Sequence, residues 1–152
     1  MKFLLSRELG RLAKWLRILG YDTAYFNSDN TSSLVLQALR EDRVILTRNH
    51  CLAYSCHLRA VLVKAQTLKE QLQEILKELK LNLNSDIMFT RCIICNLTLV
   101  SVEKDAVKDK IPEYVFSTQD KFIVCPGCQR VYWQGTHWGN VAQTLKEIEG
   151  SV

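Results

Sequence analysis

KFLLSRELGRLAKWLRILGYDTAYF, residues 2–26, is the stretch that decides the fold class. Lys2–Leu5 is a short apolar run with the length of a buried strand, and Asp22–Phe26 is a second strand. Between them Leu9, Leu12, Leu16 and Leu19 recur at helical spacing and predict a helix over Arg7–Leu19. Ser6 is placed to cap that helix and Gly20 to end it.

The same rhythm continues outward. Asn27–Thr31 is a polar turn, followed by a helix over Ser32–Glu41 and a β-branched strand over Val44–Thr47. His50–His57 reads as a short helix or turn, and Ala60–Lys64 as a fourth strand. Thr67 with Glu70 forms a capping box for a helix over Leu68–Leu79, whose apolar stripe is Leu68, Leu72, Ile75, Leu76 and Leu79. Strands alternating with helices argue an α/β fold with a parallel sheet. In such sheets function gathers at the carboxyl ends of the strands, which here fall near Ser6, Asn27–Asp29 and Arg48–Asn49.

Residues 86–139 are built differently. Cys92-Ile-Ile-Cys95 and Cys125-Pro-Gly-Cys128 are two CxxC knuckles, each presenting two thiolates at one bend, and Pro126-Gly127 supplies a tight turn. Together Cys92, Cys95, Cys125 and Cys128 make the tetrahedral sulfur set of a structural zinc ion, with no position left for water or substrate. The 29-residue spacer, Asn96 to Val124, has room for a hairpin and a short helix near Glu103–Lys110. The expected organisation is an α/β domain over 1–85, a zinc ribbon over 86–139 and a helical tail over 140–152. His50, Cys51, Cys56 and His57 do not converge on a helix and predict no second metal site.

The chain has 152 residues, nearly half of them hydrophobic, with a net charge of +4. That length suits one domain, or one domain with a metal-stapled module. The charge leans mildly toward acidic partners. The opening MKFLLSRELG has too short an apolar run for a signal peptide, and no stretch is long enough for a membrane span. The expectation is an intracellular, cytoplasmic protein whose six cysteines are thiols or metal ligands.

On a helical wheel Arg7, Arg11, Lys14 and Arg17 fall opposite the leucines, beside the carboxyl end of the first strand. Four cations there, with Arg48 nearby, suit a phosphate backbone; the plainer reading is an ordinary solvated helix face. In RVYWQGTHW, residues 130–138, aromatics stand beside Arg130 and His137 and could stack bases, while Tyr132 and Trp133 read more simply as a small core. Arg130, His137 and Trp138 stay as candidates for nucleic acid.

Phe3–Thr23, Ile45-Leu-Thr-Arg48, the paired knuckles and Val131-Tyr-Trp-Gln-Gly-Thr-His-Trp138 together resemble the Mut-seven-type C-terminal RNase domain family, over about residues 2 to 139. The resemblance implies a PIN-like nuclease fold joined to a zinc ribbon, RNA as partner, and a metal-dependent ribonuclease activity. In such a nuclease, carboxylates at strand ends hold one or two Mg²⁺ or Mn²⁺ ions that activate water and steady charge on the phosphate.

This sequence departs from that pattern at two positions. The family's Asp after the first strand is Ser6 here, and its Thr-Arg-Asp continues as Asn49. Ser and Asn offer oxygen but no charge, and hard-cation sites depend on carboxylates. Asp29, Asp22 and Glu8 remain as candidate catalytic acids, Asp22 in the matching Gly-Tyr-Asp-Thr motif. One reading is a ribonuclease working with those acids. A second is a degenerate member that binds RNA or a partner without cutting. A third is a protein-interaction module whose basic helix docks on an acidic partner.

Overall fold

The computed structural model describes residues 1–55 and 57–150, apart from the side chains of residues 136–139, and divides into two compact units, Met1–Asn96 and Leu97–Val152. The first unit runs past the expected join at residue 85.

In the first unit, β1 (Lys2–Leu5), β2 (Asp22–Tyr25), β3 (Val44–Thr47) and β4 (Ala60–Leu62) form one parallel sheet in the order β2-β1-β3-β4. The central strands are apolar because both faces are covered: Phe3, Leu4, Leu5, Ile45 and Leu46 are 1 % exposed or less. Leu4 and Ile45, paired across β1 and β3, pack with Leu34 and Ala38 of α2 (Thr31–Glu41) and Leu52 of α3 (His50–Ala53). Elsewhere α1 (Gly10–Ile18) packs on β2 and on α4 (Leu68–Glu78). Leu9, Leu12, Leu16 and Leu19 are all buried, as their spacing predicted, and the Thr67–Glu70 capping box is present.

The start of the first helix differs from expectation. Arg7–Leu9 is a 3-10 turn, and Ser6 makes no side-chain cap. Its hydroxyl donates to Glu8 instead, so it serves a side chain rather than an orphan amide. The strand order reverses between β1 and β3, which opens a crevice at the carboxyl ends of these two strands.

The second unit holds an antiparallel sheet of β5 (Val100–Val102), β6 (Phe122–Val124) and β7 (Val131–Trp133), in that order. The predicted helix near 103–110 is a 3-10 helix over Lys104–Lys110, and a further helix, α5 (Glu113–Thr118), follows it. Val107, Ile111, Val115, Phe122 and Val124 make the core, with Trp133 packed against it edge-on to Phe122. The tail is α6 (Thr136–Glu149), which starts ahead of the expected residue 140 and buries Leu145 and Ile148. Among the described residues no helix is long and apolar enough to cross a membrane.

Candidate functional site

The crevice at the carboxyl ends of β1 and β3 is a small cleft lined by Ser6, Arg7, Glu8, Ser28, Asp29, Thr31, Thr47 and Asn49, with Leu34 and Leu52 beneath. It brings together four of the five residues singled out around the acidic positions: Ser6, Glu8, Asp29 and Asn49.

Each of the four is already engaged. The Ser6 hydroxyl lies 2.6 Å from Glu8 Oε1, to which it donates, and 3.1 Å from Thr47 Oγ1. Glu8 Oε1 also accepts the Arg48 amide at 3.1 Å. Burial pushes the Glu8 carboxyl up, but these hydrogen bonds and the Arg48 charge outweigh it and hold its pKa below the usual value. Glu8 is therefore ionised at neutral pH, fixed between the ends of β1 and β3. Asn49 caps α3, its Oδ1 accepting the Leu52 amide at 3.2 Å. Asp29 pairs with Arg7 at 2.9 Å, and the two side chains are 85 % and 58 % exposed. So open a pair contributes under about 1 kcal/mol, so either partner can exchange the other for a ligand.

Asp22 is not part of this cleft. It is the first residue of β2, paired in register with Lys2, and so lies at the amino end of the sheet. There its Oδ1 accepts from Arg43 at 2.7 Å and from Asn96 at 2.8 Å. Burial raises its pKa and these bonds lower it further than burial raises it.

The basic residues also divide. Arg7, Arg11 and Lys14 are exposed, and Arg48 is half-buried with Nη1 donating to the Ala65 carbonyl. Arg17 does not share their solvent face: it is 7 % exposed and donates to the carbonyls of Thr23, Ile93 and Ile94. It sits about 60° around the helix from Lys14, far enough to turn from solvent to the β2 edge. Arg130 is exposed. The side chains of His137 and Trp138 lie outside the described residues, as does Cys56. Thr47, which sequence reasoning passed over, is fully buried and accepts the Asn49 amide at 3.1 Å. Its place as the last residue of a buried strand was the available signal.

The sulfurs of Cys92, Cys95, Cys125 and Cys128 all lie within 4.8 Å of one another. A tetrahedral zinc–thiolate centre with Zn–S near 2.3 Å puts its sulfurs about 3.8 Å apart, so this set can close on a metal ion such as zinc. The two knuckles share one conformation. Asn96 and Gln129, each just past its second cysteine, take left-handed φ of 66° and 62°, and their amides donate to the Cys92 and Cys125 carbonyls. Amides of Cys95 and Gly127 also point at the sulfurs of Cys92 and Cys125, each at 3.4 Å. Among the described residues this is the one group of three or more His, Cys, Asp or Glu side chains close enough to share a metal. The cleft offers two carboxylates, Glu8 and Asp29, with Asp29 already paired with Arg7, so it presents less negative charge to a divalent cation than acids at positions 6 and 49 would add.

No curated protein and no solved structure matches this chain. One family does, described as the Mut7-C RNAse domain, and its match runs over residues 1–145. With nearly the whole length covered, the chain belongs to the Mut7-C RNase domain family.

Proposed function

We propose that this chain is an intracellular, RNA-directed protein on a PIN-like scaffold, which engages RNA at the cleft between β1 and β3 and does not hydrolyse it through a divalent cation. The observation that supports this is the donor set of the cleft. Ser6 and Asn49 stand at the acidic positions and bring no charge there: the Ser6 hydroxyl donates to Glu8, and Asn49 Oδ1 accepts the Leu52 amide in the α3 cap. Two carboxylates remain, and one of them is paired with Arg7. A cation of charge two held by so few charges binds weakly, so no cleavage step is routed through it. Arg7, Arg11 and Lys14 supply the phosphate contacts, with Arg48, Arg130, His137 and Trp138 as further RNA-facing candidates. The cysteine cluster holds one structural zinc ion, which has no open position for chemistry.

A second reading, a working ribonuclease, draws on Glu8. Its carboxylate is ionised and fixed beside Ser6, close to where an aspartate at that position would act, with Asp29 across the same cleft. The deciding experiment incubates zinc-loaded protein with labelled structured and single-stranded RNA in Mn²⁺ or Mg²⁺, beside Ser6→Asp/Asn49→Asp and an EDTA control. The expected result is salt-sensitive RNA retention by the unaltered chain without cleavage, and cleavage gained by the double variant. Cleavage by the unaltered chain that disappears in Asp29→Ala would establish the second reading. Loss of RNA retention even at low salt would leave the basic helix to a protein partner.

A further inference from the structure

β2 is an edge strand, so the outward amide and carbonyl of Thr23 have no neighbouring strand to meet. Two side chains take their place. Asn96 Oδ1 accepts the Thr23 amide at 2.9 Å, and Arg17 Nε donates to the Thr23 carbonyl at 2.9 Å. The same two residues hold the first cysteine knuckle. Arg17 Nη1 donates to Ile93 O at 2.8 Å and Ile94 O at 3.0 Å, the two residues between Cys92 and Cys95. The Asn96 amide closes the knuckle onto the Cys92 carbonyl at 2.9 Å. Asn96 Nδ2 reaches Asp22 at 2.8 Å, and Arg91 ties the Asn96 carbonyl, at 2.8 Å, to that of Gly20.

We propose that Arg17 and Asn96 couple metal loading of the cysteine cluster to the integrity of the β2 edge. This inference rests on the zinc reading above. Arg17 is a positioning residue: its rigid planar fork fixes the Ile93 and Ile94 carbonyls, and so the bend that presents Cys92 and Cys95. Its charge suits the place, because zinc with four thiolates carries a net charge of roughly −2. Linkage is reciprocal. A metal that orders the knuckle also fixes the two side chains that cap Thr23, and a loosened knuckle leaves that sheet edge unpaired. Partners in the shell around metal ligands set affinity in this way.

The test uses the full chain, with zinc and with zinc withdrawn by chelation. Zinc affinity is read by competition with a chromophoric chelator, and exchange of the Thr23 amide by NMR or mass spectrometry. In Arg17→Met zinc affinity falls about 10- to 100-fold, and in Asn96→Ala by a smaller factor. In the unaltered chain, zinc withdrawal speeds exchange at Thr23 more than at Ile45 in the sheet centre. Arg17→Met can fail to fold; Asn96→Ala and the exchange comparison on the unaltered chain then carry the test. Folded variants that hold zinc as tightly as the unaltered chain, or Thr23 exchange indifferent to zinc, would overturn the coupling. An unaltered chain that takes up no zinc overturns the zinc reading itself, and the coupling with it.

Discussion

At the amino end of the four-stranded sheet, Asp22 meets a fixed cation: Arg43 Nη1 lies 2.7 Å from its carboxylate, while Arg43 Nε serves Glu41. At the carboxyl end, Glu8 meets neutral donors, the Ser6 hydroxyl and the Arg48 amide, and Asp29 shares a solvent-open pair with Arg7. The difference separates architectural acids from acids that a ligand can recruit. Arg43 is 11 % exposed, so the cation at the amino end cannot leave without leaving charges unpaired in a half-buried place. At the carboxyl end the held cation, Arg48, spends its Nη1 on the Ala65 carbonyl rather than on an acid, and an incoming phosphate or cation competes with contacts of modest strength.

The comparison breaks most directly at Arg43. Arg43→Met removes the partner of two carboxylates and costs about 2–3 kcal/mol of stability by urea unfolding, less than for a fully buried pair because Asp22 is 25 % exposed. A change under about 0.5 kcal/mol would show the amino end to be as open as the other. Acid pH gives the next largest effect. Asp22, Glu41 and Glu8 all have folded pKa values below their ordinary 3.8 to 4.5. Their contribution is therefore complete above that range and lost as pH falls through the lowered folded values. Stability should fall below about pH 4.5, and Asp22→Asn should flatten part of the slope; an unchanged slope would contradict the role given to Arg43. Glu8→Gln, read by the same unfolding, costs about 1 kcal/mol through its bonds to Ser6 and Arg48. The smallest effect belongs to Asp29→Ala, within about 0.5 kcal/mol, because the pair with Arg7 is exposed. A larger loss there would mean that Arg7 is not free for RNA.

Much of the first unit was legible because its strands are short apolar runs and its helices carry periodic leucines. The capping box at Thr67 and Glu70 and the two knuckles could be read from spacing alone, since local geometry decides them. The cleft was legible to the extent that strand ends near Ser6, Asp29 and Asn49 were expected to converge. Asp22 shows where the reading stopped short. As the first residue of its strand it belongs to the amino end, and motif membership drew it into the wrong neighbourhood. Arg17 was hidden for another reason: on a wheel it joins the cations, and what buries it is a set of carbonyls from a segment some seventy residues on. Such long-range acceptors leave no local mark. Nor did the 29-residue spacer announce α5, a helix of six residues whose core contacts are only the adjacent Val115 and Phe116, too few to show a period.

With neutral residues at positions 6 and 49, the cleft presents little charge to a hard divalent cation. Titration of Mn²⁺ into the zinc-loaded chain, followed by EPR or calorimetry, tests it beside Ser6→Asp/Asn49→Asp. The expected result is weak, salt-sensitive binding to the unaltered cleft and binding about tenfold tighter or more in the double variant, with Asp29→Ala reversing the gain. Tight Mn²⁺ binding by the unaltered chain, lost in Glu8→Gln or Asp29→Ala, would contradict it and return the cleft to hydrolysis.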